Sequence, residues 1–232
     1  MGYLESYRAW RASPAVDAET KRELAAIAGD PAEIEDRFYR GLEFGTGGLR
    51  GVIGAGDNRM NIYTVRKATQ GLADYLNDRY DKAAVSVSFD SRIKSDLFAR
   101  EAARVLAANG ITVHLFPELE PTPVLSYAVR ENHCQAGIMV TASHNPAKYN
   151  GYKCYGPDGC QMTDHDANEV TAYIRKVDLF QDVKTVPFDE ALAGGRIVMI
   201  QDSLLESYMA CVLSRQVNPG VCGTARLSVV YT

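Results

Sequence analysis

The sequence predicts a three-layer α/β/α protein, and three observations carry that prediction. From residue 84 onward, short runs rich in β-branched residues alternate with stretches of helical length, the pattern of a layered α/β domain. Serine, aspartate, glycine and proline punctuate the boundaries of those stretches where caps and stops belong. The composition is globular: 46% of the 232 residues are apolar and 23% charged. At this length the chain makes one large domain or one and a half, and folding buries roughly 70% of its unfolded surface without staples.

The same figures exclude several function classes. Lys plus Arg total 25 against 29 Asp plus Glu, a net charge of −4, too acidic for a chain whose main partner is nucleic acid. No apolar run approaches the ~20 residues of a membrane-spanning helix. The five cysteines (Cys134, Cys154, Cys160, Cys211 and Cys222) form no C-x-x-C pair, and no basic-then-apolar leader precedes them. Reduced thiols and a cytoplasmic location are the expectation. Met1 to Ser6 formally fits a myristoylation pattern, but no basic patch follows to supply a second anchor.

The first forty residues read as helical. Leu4, Tyr7 and Trp10 sit at helical spacing, Asp17 caps a run to Ala28, and Gly29-Asp30-Pro31 stops it and starts another with Ile34, Phe38 and Tyr39 on one face. A glycine-rich stretch from Phe44 to Gly56 follows, then a helix from Ile62 to Tyr80. Strands are expected at 84–89, 111–115 and 136–140. Helices are expected from Ser95, as cap, to Asn109 with Gly110 closing it, and from Pro121-Thr122-Pro123 to about Asn132. Thr163 to about Val177 reads as a helix with Asp166 completing a weak capping box. Residues 178–200 read as irregular connection with a short strand from Ile197 to Ile200. A helix from Ser203 to Arg215 and a strand from Leu227 to Tyr231 complete the reading. A domain over 1–195 and the start of a second, similar one over 196–232 are the expected organisation. A buried strand ending the sequence without a covering helix suggests that something has been cut off, and its edge would invite pairing with another chain.

Two segments could carry chemistry, and each has an ordinary structural alternative. The strand ending at Val140 delivers Thr141-Ala142-Ser143-His144-Asn145-Pro146 to the carboxyl edge of the sheet, where α/β proteins place their sites. Lys153 follows in Tyr149-Asn150-Gly151-Tyr152-Lys153. A loop hydroxyl with a cation to exchange its proton suits nucleophilic or phosphoryl-accepting chemistry, although Ser-His in a loop is also an ordinary turn. In Gly45-Thr46-Gly47-Gly48-Leu49-Arg50-Gly51, successive glycine amides can converge on an anion and Arg50 can add a bidentate fork; a flexible turn is the plainer reading. This stretch is neither a dinucleotide fingerprint nor a P-loop. Asp90-Ser91-Arg92 points at the same edge, preferably as an ion pair that orders a loop. A serine hydrolase fails because Gly-x-Ser-x-Gly is absent and His144, next to Ser143 in an extended loop, would point the wrong way. Zinc fails because His114, His133, His144 and His165 lack ligand spacing.

In their order along the chain, these segments resemble the motifs of the α-D-phosphohexomutases. Thr141–Pro146 with Tyr149–Lys153 is similar to that family's phosphoserine loop, and Gly45–Gly51 to its N-terminal Gly-Thr-Gly/Ser-Gly-x-Arg-Gly segment. Asp90-Ser91-Arg92 and Pro121-Thr122-Pro123 stand where the family has Asp-x-Arg and Thr-Pro. The helical leader resembles the longer phosphoglucomutase and phosphopentomutase branch. The resemblance implies a mixed sheet and a mutase that interconverts sugar 1- and 6-phosphates, of glucose first and of mannose or a pentose as alternatives. Ser143 would carry the phosphoryl group, pass it to the sugar phosphate and recover it from a bisphosphate such as glucose 1,6-bisphosphate. Arg50 would hold the phosphoserine, and Lys153 would be the general acid–base. His144 and Asn145 would shape the loop, Thr46, Gly47 and Gly48 would line the phosphate, and Mg²⁺ would bind Ser143 through its phosphate. The family's Asp-Gly-Asp-x-Asp-Arg metal loop, its Gly-Glu-x-Ser-Gly sugar loop and its fourth-domain clamp are missing. The chain alone is therefore expected to turn over negligibly. A non-catalytic product that binds phosphorylated ligands or partner chains is the alternative of a different class.

Overall fold

The computed structural model describes residues 2–45, 47–224, 226 and 228–230. Three short helices open the chain: α1 (Tyr3–Ala12), α2 (Ala18–Ala26) and α3 (Pro31–Phe38). Asp17 caps α2 by accepting from the Thr20 amide, and Asp30 caps α3 with Pro31 at its first position. Then follow β1 (Gly48–Val52), α4 (Ile62–Arg79), β2 (Ala84–Phe89), α5 (Ser95–Ala108), β3 (Thr112–Leu115), α6 (Thr122–Glu131), β4 (Ala136–Val140) and β5 (Tyr149–Tyr155). The elements α7 (Asp164–Ile174), α8 (Phe188–Ala193), β6 (Ile197–Met199), α9 (Asp202–Leu213) and α10 (Val221–Thr224) complete the order.

The six-stranded sheet has the order β1-β5-β4-β2-β3-β6 and is mixed. β4, β2, β3 and β6 run parallel, because crossover connections link them; β5 runs antiparallel to both its neighbours, β4 and β1, because β4 returns directly into it. β4 is buried at every position, as a parallel strand covered on both faces must be. On one face, α4, α5 and α7 close a core with Leu72, Phe98, Leu106, Val87, Ile138 and Tyr152. On the other, Leu125 and Val129 of α6 pack with Met139 and Tyr155. The opening helices form their own cluster around Trp10, whose ring meets Phe38, Tyr63 and Phe180 edge-on.

Several expectations need correction. Ser95 is not the cap of α5: Lys94, at φ 63°, takes that place, and the Ser95 hydroxyl instead donates to Asp90 Oδ1 at 2.8 Å. β1, β5 and α8 stand where loops were read. β1 and β5 are too rich in glycine and polar residues to alternate cleanly, and α8 is too short to show a period. β6 pairs with β3, and the first compact unit ends at Ile200. The second unit, Gln201–Thr232, contains α9 and α10. No strand forms in it among the described residues; the expected strand falls on Leu227 and Tyr231, outside those residues, and on Ser228–Val230, which carry no ladder. No helix among the described residues is long and apolar enough to cross a membrane. Cys134, Cys154, Cys160 and Cys211 are free thiols.

Candidate active site

The sheet topology places the site. β3 lies on one side of β2 and β4 on the other, so the crossovers through α5 and α6 diverge and leave a crevice at the carboxyl ends of β2 and β4. The pair Phe89↔Val140 brings the two strand ends level. The chain after β2 begins with Asp90, and the β4–β5 connection begins with Thr141; their side chains meet at 2.6 Å, the Thr141 hydroxyl donating to Asp90 Oδ2.

Asp90 is the hub of a small polar network. Its Oδ1 accepts from the Ser95 hydroxyl and, at 3.0 Å, from the Arg92 amide. Arg92 Nε stands 3.5 Å from Oδ2, so the ion pair expected from the sequence is present. The Arg92 guanidinium also turns its fork onto the neighbouring loop. Nη2 donates to the carbonyls of Ser143 (2.5 Å) and Asn145 (2.6 Å), and Nη1 to those of Pro146 (3.3 Å) and Tyr149 (3.2 Å). Buried Asn150 ties the same loop from below, donating to Ser95 Oγ and the Ile93 carbonyl while accepting from the Gly151 amide.

Ser143 sits at the exposed tip with φ 55°, the left-handed region, which costs a residue with a Cβ of order 1–2 kcal/mol. The loop is therefore not extended at Ser143. Its hydroxyl faces Lys153, whose Nζ donates to Oγ at 2.9 Å. His144 is exposed and makes no hydrogen bond among the described residues. Asn145 is half-buried and accepts from Arg50 Nη1 at 3.3 Å.

Strand register explains why Arg50 and Lys153 converge. Arg50 pairs with Gly151 and Gly48 with Lys153, so both cations project from the same face of the sheet as Met139 and Tyr155. A Cβ on Gly151 would lie 2.5 Å from the Thr141 carbonyl, and one on Gly48 would lie 2.2 Å from that of Tyr152. Both glycines are there for close approach of backbone. Gly47, buried at φ 70°, turns the chain into β1, its carbonyl accepting from the Cys154 amide at 2.7 Å. Thr46 lies outside the described residues. Burial lowers the Lys153 pKa, the Arg50 charge lowers it further, and Asp90 pulls weakly the other way.

A hydroxyl thus meets the Lys153 ammonium, with Arg50 close enough to act on that lysine by charge, while the Asp90 carboxylate is committed to its own partners. That electrostatics suits an anion. The crevice holds a pocket of about 360 Å³, lined by Asp90–Ile93, Ser143, Asn145 and Ala147. The sequence singled out Ser143, Lys153 and Arg50, and the fold brings them together. It did not single out Thr141 or Asn150, whose buried polar side chains next to the motif were the available signal.

Residues 41–181 match the family model described as phosphoglucomutase/phosphomannomutase, alpha/beta/alpha domain I. The chain belongs to this phosphohexomutase family. Among curated relatives, a Staphylococcus saprophyticus phosphoglucomutase is 41% identical over 72% of this chain and 30% of its own length. A Staphylococcus haemolyticus phosphoglucomutase is 37% identical over 85% of this chain and 35% of its own. Among solved structures, a Thermus thermophilus protein assigned as a phosphomannomutase superposes with a TM-score of 0.62 at 28% identity, covering 75% of this chain and 36% of that one. The chain thus spans about a third of the length of the phosphohexomutase relatives it matches.

Proposed function

We propose that this chain supplies the phosphoserine domain of a phosphosugar mutase, acting on glucose 1- and 6-phosphate in the cytoplasm, with Ser143 as the phosphoryl carrier. The observation that carries the reading is the 2.9 Å hydrogen bond between Lys153 Nζ and Ser143 Oγ beside Arg50. In one half-reaction a sugar hydroxyl oxygen attacks the phosphorus, its new O–P bond forms, and the Ser143 Oγ–P bond breaks. The proton leaves the sugar hydroxyl and ends on Ser143 Oγ, with Lys153 taking it and passing it on. The reverse half-reaction, on the other phosphate of the bisphosphate, restores phosphoserine. Arg50 would hold the phosphate oxygens, Thr46, Gly47 and Gly48 would be further phosphate contacts, and Asn145 and His144 would shape the loop. The phosphoglucomutase relatives and the helical leader support the long branch and glucose over mannose or a pentose.

The family generally uses Mg²⁺, which would neutralise charge on the transferring group. The described residues do not complete such a site. The Asp90 oxygens are committed, and the one three-residue cluster of possible ligands among the described residues, His165 with Asp166 and Glu169, is on α7, across the sheet from Lys153. A phosphate on Ser143 would be a single ligand.

The test is intact mass with phosphopeptide mapping after incubation with glucose 1,6-bisphosphate and Mg²⁺. One phosphate on Ser143, absent from Ser143→Ala, is the expected result. An unmodified Ser143, here and in a chain extended to the length of the relatives, would end the reading.

A further inference from the structure

We infer that Arg92 is a positioning residue for the reaction of Ser143, an inference that rests on the reading just given. The backbone of Ser143 is gripped on both sides. Its amide donates to Thr141 Oγ1 at 2.9 Å, and its carbonyl accepts from Arg92 Nη2. The two grips share one anchor, since the Thr141 hydroxyl and the Arg92 guanidinium both meet Asp90 Oδ2. This closed relay holds a serine in a left-handed conformation that only glycine and, less readily, asparagine or aspartate adopt cheaply. Without it the 141–148 loop would relax toward ordinary dihedrals, and Oγ would turn away from Lys153.

The planar fork matters as much as the charge. Four carbonyls, at Ser143, Asn145, Pro146 and Tyr149, converge on one guanidinium, a set that a single ammonium cannot span. With its hydrogens spent on backbone, and its side chain 14% exposed, Arg92 acts through the loop rather than on a phosphate.

The experiment uses the full chain with glucose 1,6-bisphosphate and Mg²⁺. It follows the rate of phosphate uptake on Ser143, the melting temperature, and hydrogen exchange of peptides covering 141–149. Arg92→Ala is expected to slow uptake about a hundred-fold, the scale of an ångström misplacement, with the loop losing protection and the melting temperature little changed. Arg92→Lys is expected to restore part of the rate; full restoration would mean that charge alone is needed and would overturn the inference. Should Arg92→Ala fail to fold, Thr141→Val removes the other grip while keeping the side-chain shape, and a native uptake rate in it would overturn the inference. If the unaltered chain takes up no phosphate, that result bears on the mutase reading, which the chain extended to the length of the relatives then decides. Hydrogen exchange then decides for Arg92, with unchanged loop protection in Arg92→Lys and Thr141→Val sinking the clamp.

Discussion

At Ser143 the unusual feature is the backbone. A left-handed φ at a non-glycine residue persists only where its surroundings over-determine it, and such positions collect at reactive sites. Here it aims the hydroxyl at a lysine whose ammonium is disfavoured, first by burial and then by Arg50. A base must be neutral to accept the Ser143 proton, so phosphate uptake should rise with pH through a value below the ordinary 10.5 of lysine. Arg50→Gln removes a like charge, which raises the Lys153 pKa. Its pH–rate limb should therefore move to higher pH, as initial rates of Ser143 phosphorylation across a pH series would show; a limb that stays put or moves to lower pH contradicts the assignment. The sequence made Ser143, Lys153 and Arg50 visible because they stand inside glycine- and proline-marked motifs. The 2.9 Å contact between two of them was not visible, since it depends on the dihedral at Ser143 and on strand register.

At the scale of elements, the β4–β5 return is the decisive piece. β5 carries Lys153 back beside Ser143, and Gly151 lets it pass close under Thr141. Gly151→Ala would place a methyl group 2.5 Å from the Thr141 carbonyl, so the strand or the loop must shift. The expected cost is about 1–3 kcal/mol in a denaturant titration, the usual penalty of overpacking, with phosphate uptake falling further than stability. An unchanged midpoint and rate would show that the loop has slack. The central strands and the helices were readable from the sequence, because β4 is a continuous apolar run, β2 alternates apolar residues with serine, and α4 to α6 carry clear boundary residues. β1 and β5 were not: their glycines serve close approach and their polar residues serve the site, which dilutes the alternation that marks a strand.

For the whole molecule, the proposed reading gives the first unit the nucleophile, its proton partner and the clamp, while a phosphate on Ser143 would be a single metal ligand there among the described residues. The expected behaviour is therefore asymmetric. The chain should accept one phosphate yet convert glucose 1-phosphate to glucose 6-phosphate negligibly, as a coupled assay on material purified free of host enzyme would measure. Sustained turnover would mean that the described residues already hold a complete site. The opening helices lie outside the family-matched residues 41–181, yet Trp10 binds them to those residues through Tyr63 and Phe180 and through Asp57, which accepts from its indole nitrogen at 2.8 Å. By itself the sequence determined the α/β class, the helices and central strands, and the family, because periodicity, caps and motif order are local and survive without coordinates. Only the tertiary structure decided that β1 and β5 are strands, that Arg92 grips the loop, and that Lys153 meets Ser143. Each of those depends on pairing between segments far apart in the chain, and register leaves no local mark.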